Sequence, residues 1–337
     1  MPKAILRTVL AAAALLSLAA PAAAQSDILL RLRSGSPLGD RFRVDSASGF
    51  VAKGVLGVGI IPFTGAGERL MWHPNKAAFR AGSIGSAGTQ WDDSNTGYYT
   101  WAGGYNTIAL GLSSFAMGYQ STALGSYSNA LGYTANADGT GAVAIGYRTT
   151  ADADYSVAIG QRASTNGHAG AMVFSDGSTT DSTQASANNQ MTVRAAGGYR
   201  FFTNATMTTG SQIAAGGSSW VVISDRNRKQ DFLAVNGEDI LSRVRALPVT
   251  TWRYRDEVDR STLHIGPMAQ DWHRAFGFTT DDRTINMSDF DGVNLAAIQA
   301  LTRRTDALQA ENAALRAQNQ QLEARLARLE AAVASRP

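Results

Sequence analysis

"TIALGLSSFAMGYQSTALGSYSNALGY", from Thr107 to Tyr133, places glycine at 111, 118, 125 and 132, each seven residues after the last. Outward by sevens the comb continues at Gly97, Gly104, Gly139 and Gly146, misses at Ala153, and resumes at Gly160 and Gly167. A large apolar residue often precedes the glycine (Leu110, Met117, Leu124, Leu131, Ile145, Ile159), and alanine precedes that (Ala116, Ala123, Ala130, Ala144, Ala158). A seven-residue period ordinarily suggests a helical coiled coil. Composition excludes one here. Each glycine in a helix costs about 1 kcal/mol relative to alanine, and the remaining Ser, Thr, Tyr and Asn are weak helix formers. No second apolar position recurs three or four residues away. A short strand followed by a tight bend fits better, with glycine at the corner for positive φ or close backbone approach. Equivalent turns stack as a solenoid. Asp138, Asp152 and Asn166 replace the apolar residue at alternate steps, so the expected unit is a double step of the comb, with two short strands per coil.

"GAVAIGYRTTADAD" (141–154) and "YSVAIGQRASTNG" (155–167) resemble the head repeats of trimeric autotransporter adhesins. That resemblance covers roughly residues 97–170. It implies a left-handed parallel β-roll, with three chains packed side by side.

With 44% hydrophobic and 17% charged residues the chain is folded rather than disordered. The net charge of +3 and the lack of any Lys/Arg-rich run with interleaved aromatics argue against a nucleic-acid partner. There is no cysteine, so no disulfide and no thiolate metal ligand. His73, His168, His264 and His273 share no ligand spacing, and neither metal nor cofactor is expected. Lys3 and Arg7, the apolar "TVLAAAALLSLAA" and Ala22-Ala23-Ala24 before Gln25 read as a signal peptide cut after Ala24. Export is therefore expected, to the cell surface or beyond with the periplasm as an alternative, and no integral membrane segment after the signal.

Residues 25–96 read as strands and turns, because "DILLRLRSG" and "DRFRVDSASGFVAKG" alternate apolar and polar side chains. Their neighbourhood holds Trp72, Trp91 and Trp101, which are either sugar-stacking surface residues or core aromatics. "NNQMTVRAAGGYRFFTN" (188–204) and "WVVIS" (220–224) also read as strands.

"WVVISDRNRKQDF" (220–232) is the one stretch with material for covalent chemistry: Ser224, Asp225 and, five residues after the serine, Lys229. A serine hydroxyl needs a base to act as a nucleophile. A lysine serves once burial or nearby positive charge lowers its pKa from about 10.4, and Arg226 and Arg228 are the adjacent cations. A spacing of five does not align two side chains on a helix, so a strand end and a bend must bring them together. Alone, such a pair is usually a turn beside a solvated basic run. Downstream lie a helix with Ile240, Leu241, Val244 and Leu247, stopped by Pro248; a strand with Trp252 and Tyr254; and "HIGPMAQDWHRAFGF" (264–278), with Pro267 to start a helix and Gly277 to end it. Over residues 224–270 this order resembles the intramolecular chaperone domain of endosialidase-type phage tail spikes and fibres. The resemblance implies a domain that trimerises, guides folding of a β-rich fibre and cuts itself off. It places the self-cleaving dyad on Ser224 and Lys229, with Asp225 holding the bend and His264 either orienting the site or bonded within the core.

"NLAAIQALTRRTDALQAENAALRAQNQQLEARLARLEAAVA" (294–334) reads as a parallel coiled coil. Leu301, Leu308, Leu315, Leu322 and Leu329 take one core position; Ile298, Thr305, Asn312, Asn319, Leu326 and Val333 take the other.

The expected fold is thus mainly β with α: a signal peptide (1–24), a β-rich region (25–96), a trimeric left-handed β-roll head (97–170), a β-rich connector (171–219), a small α+β chaperone domain (220–294) and a parallel coiled coil (295–334). The expected function is an exported homotrimeric fibre or adhesin-like protein that releases its C-terminal part, with a host-surface or glycan receptor left open. An uncleaved structural fibre and a phage-derived tail fibre are the alternatives.

Overall fold

The computed structural model describes residues 28–34, 39–46, 49–278 and 280–335; the expected signal segment, 1–24, lies outside them. The chain divides into two compact units, one ending at Ile223 and the other beginning at Ser224.

The first unit opens with an antiparallel three-stranded meander, Ile28–Ser34, Gly39–Asp45 and Gly49–Ala52. Its main feature is a β-solenoid of about five turns. The longer strand of each coil (Trp101–Tyr105, Phe115–Tyr119, Asn129–Tyr133, Val143–Tyr147, Val157–Gln161) pairs in parallel with the next, without a register shift. Ala102, Ala116, Ala130, Ala144 and Ala158 therefore lie one above another. A second ladder of two-residue strands runs through Ile108–Ala109, Thr122–Ala123, Asn136–Ala137 and Thr150–Ala151. It adds Ala109, Ala123, Ala137 and Ala151, and all of these alanines are fully buried. The coil is so narrow that opposing methyls fill it, and a larger side chain would overpack it. Ser and Thr hydroxyls close the interior at the bends; Ser121 Oγ donates to Gly132 O at 2.9 Å and Ser156 Oγ to Ala153 O at 2.6 Å.

Glycine has the close backbone approach that the repeat suggested, but only alternate glycines, Gly111, Gly125 and Gly139, open a corner turn, accepting from Ser114 N, Ser128 N and Ala142 N. Gly132 sits inside its strand at φ 134°, and a Cβ there would collide with the carbonyl of Gly146 in the next coil. Gly125, in the other half of its coil, would meet the carbonyl of Gly139 in the same way. The comb spaces the coils at backbone contact. Left-handed corners fall instead on Gln120, Thr134, Arg148 and Arg162, at φ 52–54°. Each costs about 1–2 kcal/mol in that conformation. In return the N–H groups of Gln120, Thr134 and Arg148 donate at 2.7–2.8 Å to the carbonyls of Tyr105, Tyr119 and Tyr133 one coil back, bonds that offset about as much.

Beyond the regular coils the longer ladder continues to Met172–Ser175 and Met191–Arg194. At the other end Ala78–Ile84 joins it in parallel, and Gly67–His73 adds an antiparallel edge. That end is plugged. Trp91 is fully buried, with Nε1 donating to Thr107 O at 2.9 Å. Arg80 is fully buried too, and donates to the carbonyls of Phe79, Thr100 and Ala109 and to Thr100 Oγ1. Burial pushes its guanidinium down to about 10. Of the three tryptophans singled out, only Trp91 is core. Trp72 and Trp101 are 38% and 47% exposed, and Trp101 meets Phe79 and Phe115 edge-on. A last meander, Gly198–Phe202, Gly210–Ala214 and Val221–Val222, ends the unit.

Among its described residues the second unit has three α-helices: α1 (Gly237–Ala246), α2 (Ala269–Phe276) and α3 (Met287–Ala334). Asn236 caps α1 by accepting from Glu238 N and Asp239 N, and Asn286 caps α3 by accepting from Ser288 N. Gly277 ends α2 at φ 67°. Strands Thr250–Trp252 and His264–Gly266 form an antiparallel pair. Ile240 of α1, Trp272 and Phe276 of α2, and Val293 and Ala297 of α3 make the core, with Phe290 5.2 Å from the Trp272 ring. From Leu301 to Ala334 every residue of α3 is exposed.

Candidate active site

Three residues, Ile223 to Asp225, separate strand Val221–Val222 from a single 3-10 turn, Arg226–Arg228. Asp225 sits at its N-cap, where Oδ1 accepts from Asn227 N at 2.9 Å and fixes the bend. The bend folds the lysine back over the serine: Lys229 Nζ donates to Ser224 Oγ at 2.7 Å. Both side chains are exposed in the single chain. Arg226 and Arg228 occupy the same turn, and the Arg226 guanidinium lies 5.1 Å from the Phe232 ring centre. The pair has the reach that hydroxyl activation requires.

His264 stands apart from this pair. Its Nε2 bonds the Glu257 carboxylate at 3.0 and 3.2 Å, and its ring stacks on Trp252 at 4.7 Å, with Tyr254 edge-on at 5.3 Å. No hydrogen bond or ring contact joins it to Ser224 or Lys229 among the described residues. Glu257 was missed in the sequence; the only signal was an acid seven residues before the histidine, in the loop joining two paired strands. The same hairpin borders an open cleft of about 620 Å³ lined by Trp252, Tyr254, Ile265, Met268, Ile285 and Phe290. Among the described residues no three His, Asp or Glu side chains gather as metal ligands, and no helix is long and apolar enough to cross a membrane.

Comparison with known families gives two separate matches. Residues 224–279 match the family described as chaperone of endosialidase. Residues 102–128, 109–135, 127–149 and 137–163 match the YadA head domain repeat. No curated protein and no solved structure matches the chain. The chain is therefore similar to YadA heads along its solenoid and to the endosialidase chaperone at the start of its second unit, a pairing that supports a fibre- or adhesin-like protein.

Proposed function

We propose that this is an exported, homotrimeric, surface or extracellular fibre protein whose second unit clamps three chains, assists folding of the β-rich head, and then releases itself through Ser224 and Lys229. The observation that carries the reading is the 2.7 Å contact between Lys229 Nζ and Ser224 Oγ at the first residues of the second unit. In the reaction the neutral Lys229 amine takes the Ser224 proton. The oxygen adds to an adjoining peptide carbonyl, and the C–N bond breaks as the leaving amine takes the proton. Water then hydrolyses the resulting ester and restores the hydroxyl. The single chain leaves the dyad open to water. A neighbouring copy covering the turn would shut water out and hold the two side chains in place, so cleavage is expected to follow assembly.

Assembly is supported by what the single chain leaves uncovered. Alternation along the longer strands turns Ala inward and Met117, Leu131, Ile145 and Ile159 outward, a row interrupted only at Gly103 in the first coil. On α3 the five core leucines are 49–63% exposed.

Denaturing electrophoresis with N-terminal sequencing tests the release. Wild type should yield a C-terminal fragment beginning beside Ser224. Ser224→Ala removes the nucleophile, and Lys229→Arg keeps a charge that cannot accept a proton, so both should stay whole. Wild type that remains full length after trimerising favours the uncleaved structural fibre. Ser224→Ala cut at the same bond assigns the cut to an outside protease.

A further inference from the structure

One edge of the solenoid repeats with twice the period of the coil. The corner before each longer strand is left-handed throughout: φ is 60° at Tyr99, 55° at Ser113, 62° at Tyr127, 65° at Gly141 and 57° at Tyr155. Inter-coil bonds impose that backbone; Tyr127 N donates to Leu112 O at 2.6 Å, Gly141 N to Ser126 O at 2.8 Å and Tyr155 N to Thr140 O at 2.7 Å. Positive φ suits glycine or asparagine, and a bulky aromatic there is unfavourable. Tyrosine nevertheless recurs in alternate coils, with Ser113 and Gly141 between. Interior packing does not account for the rings, since Tyr99, Tyr127 and Tyr155 are 52%, 57% and 70% exposed. A second tyrosine row, Tyr105, Tyr119, Tyr133 and Tyr147, stacks ring on ring at 4.9–5.0 Å and hides its faces. The corner row is spaced two coils apart, about 9–10 Å at the usual strand separation, so its rings cannot stack on one another.

We propose that Tyr127 and Tyr155, continued by Tyr99, are stacking platforms for an extended, equatorially linked pyranose chain, with every second sugar on a ring. The C–H face of a pyranose is apolar and weakly positive and suits the negative face of an aromatic ring. Tyrosine supplies that surface with little side-chain entropy to lose. Two coils match the disaccharide repeat of such a glycan. The residues just before the corners, Ser126, Thr140 and Asp154, offer hydroxyls and an exposed carboxylate to sugar hydroxyls; Asp154 Oδ1 already accepts from Thr140 N at 2.7 Å. The Tyr155 ring lies over Gly141 of the coil before it, where a side chain would crowd it; the polar groups beside the rings favour a sugar chain over a second protein surface, which would bury the rings among apolar groups.

The test is calorimetric titration of the full chain with chitohexaose and cellohexaose, and with maltohexaose, which coils, as control. An extended hexamer should bind. Its disaccharide should bind about tenfold more weakly or worse, because it reaches one platform. Tyr127→Asn and Tyr155→Asn should each weaken binding about tenfold, the loss typical of one stacking ring. Asparagine tolerates positive φ, so both variants keep the fold, checked by circular dichroism. No heat from either extended hexamer, or unchanged affinity in the double variant, overturns the proposal. So does a double variant whose mass falls in light scattering, which would make the row an interface between copies.

Discussion

The glycine comb and the leucine heptad of α3 share a seven-residue period and fold in opposite ways. In the comb, backbone bonds run between coils of one chain, and the periodic alanines turn inward to full burial. In α3 the bonds run within the helix, so the period places Leu301, Leu308, Leu315, Leu322 and Leu329 in a stripe that one chain cannot cover. Period alone does not choose the structure; the residue at the repeat does, through where it sends the hydrogen bonds. The consequence is that the head closes its own core, while the C-terminal helix leaves its leucine stripe open in the single chain.

The harshest way to break this contrast is Gly132→Val. The side chain would enter the Gly146 carbonyl at a φ that valine avoids, a loss expected to exceed about 4 kcal/mol. The strand signal in circular dichroism and the protease resistance of the head should both fall. A variant with both intact would mean that backbone contact does not set the coil spacing.

Next in size, Leu308→Asp with Leu315→Asp places charges in the stripe. Light scattering should read a smaller assembly, while the head keeps its strand signal. An unchanged mass would remove the helix from the proposed clamp, and a lost head signal would show that the solenoid is not self-contained.

A smaller effect sharpens how the head is ended. Arg80→Met should cost about 2 kcal/mol, because the carbonyls of Thr100 and Ala109 lose a buried donor. Thermal unfolding reads it, and a neutral result would leave Trp91 as the plug.

The smallest concerns acid. The Asp176 carboxylate accepts from Ala196 N, Ser178 Oγ and Arg194 Nε, and these bonds hold it at about 2, below its ordinary 3.8. A depressed carboxylate contributes stability that is present above its unfolded value and is lost as pH falls through the folded one. The head should therefore lose some stability between pH 3.8 and about 2. In Asp176→Asn that part of the profile should flatten in acid titrations followed by circular dichroism.

The comb has a weakness that joins the two regions. Sliding one chain along another by a whole coil restores nearly the same pattern, so register between chains is poorly specified. A clamp outside the repeats would set a common start, which gives the proposed chaperone role a physical reason in the sequence of the head itself.

Residue chemistry by itself determined the solenoid, its two-strand coil, the first two helices of the second unit with their stops at Pro248 and Gly277, and the sequence proximity of Ser224 and Lys229. These follow from near-neighbour effects: period, propensity, and bends that close over a few residues. Only the tertiary structure decided that glycine spaces coils while Gln120, Thr134 and Arg148 turn the corners, because the carbonyl that excludes a Cβ belongs to a residue fourteen positions away. The same holds for Trp91 and Arg80 as the plug while Trp72 and Trp101 stay outside, and for His264 held by Glu257 and Trp252 away from the dyad. Each depends on which backbone or side chain arrives from another coil or strand, and composition and period do not encode that arrival.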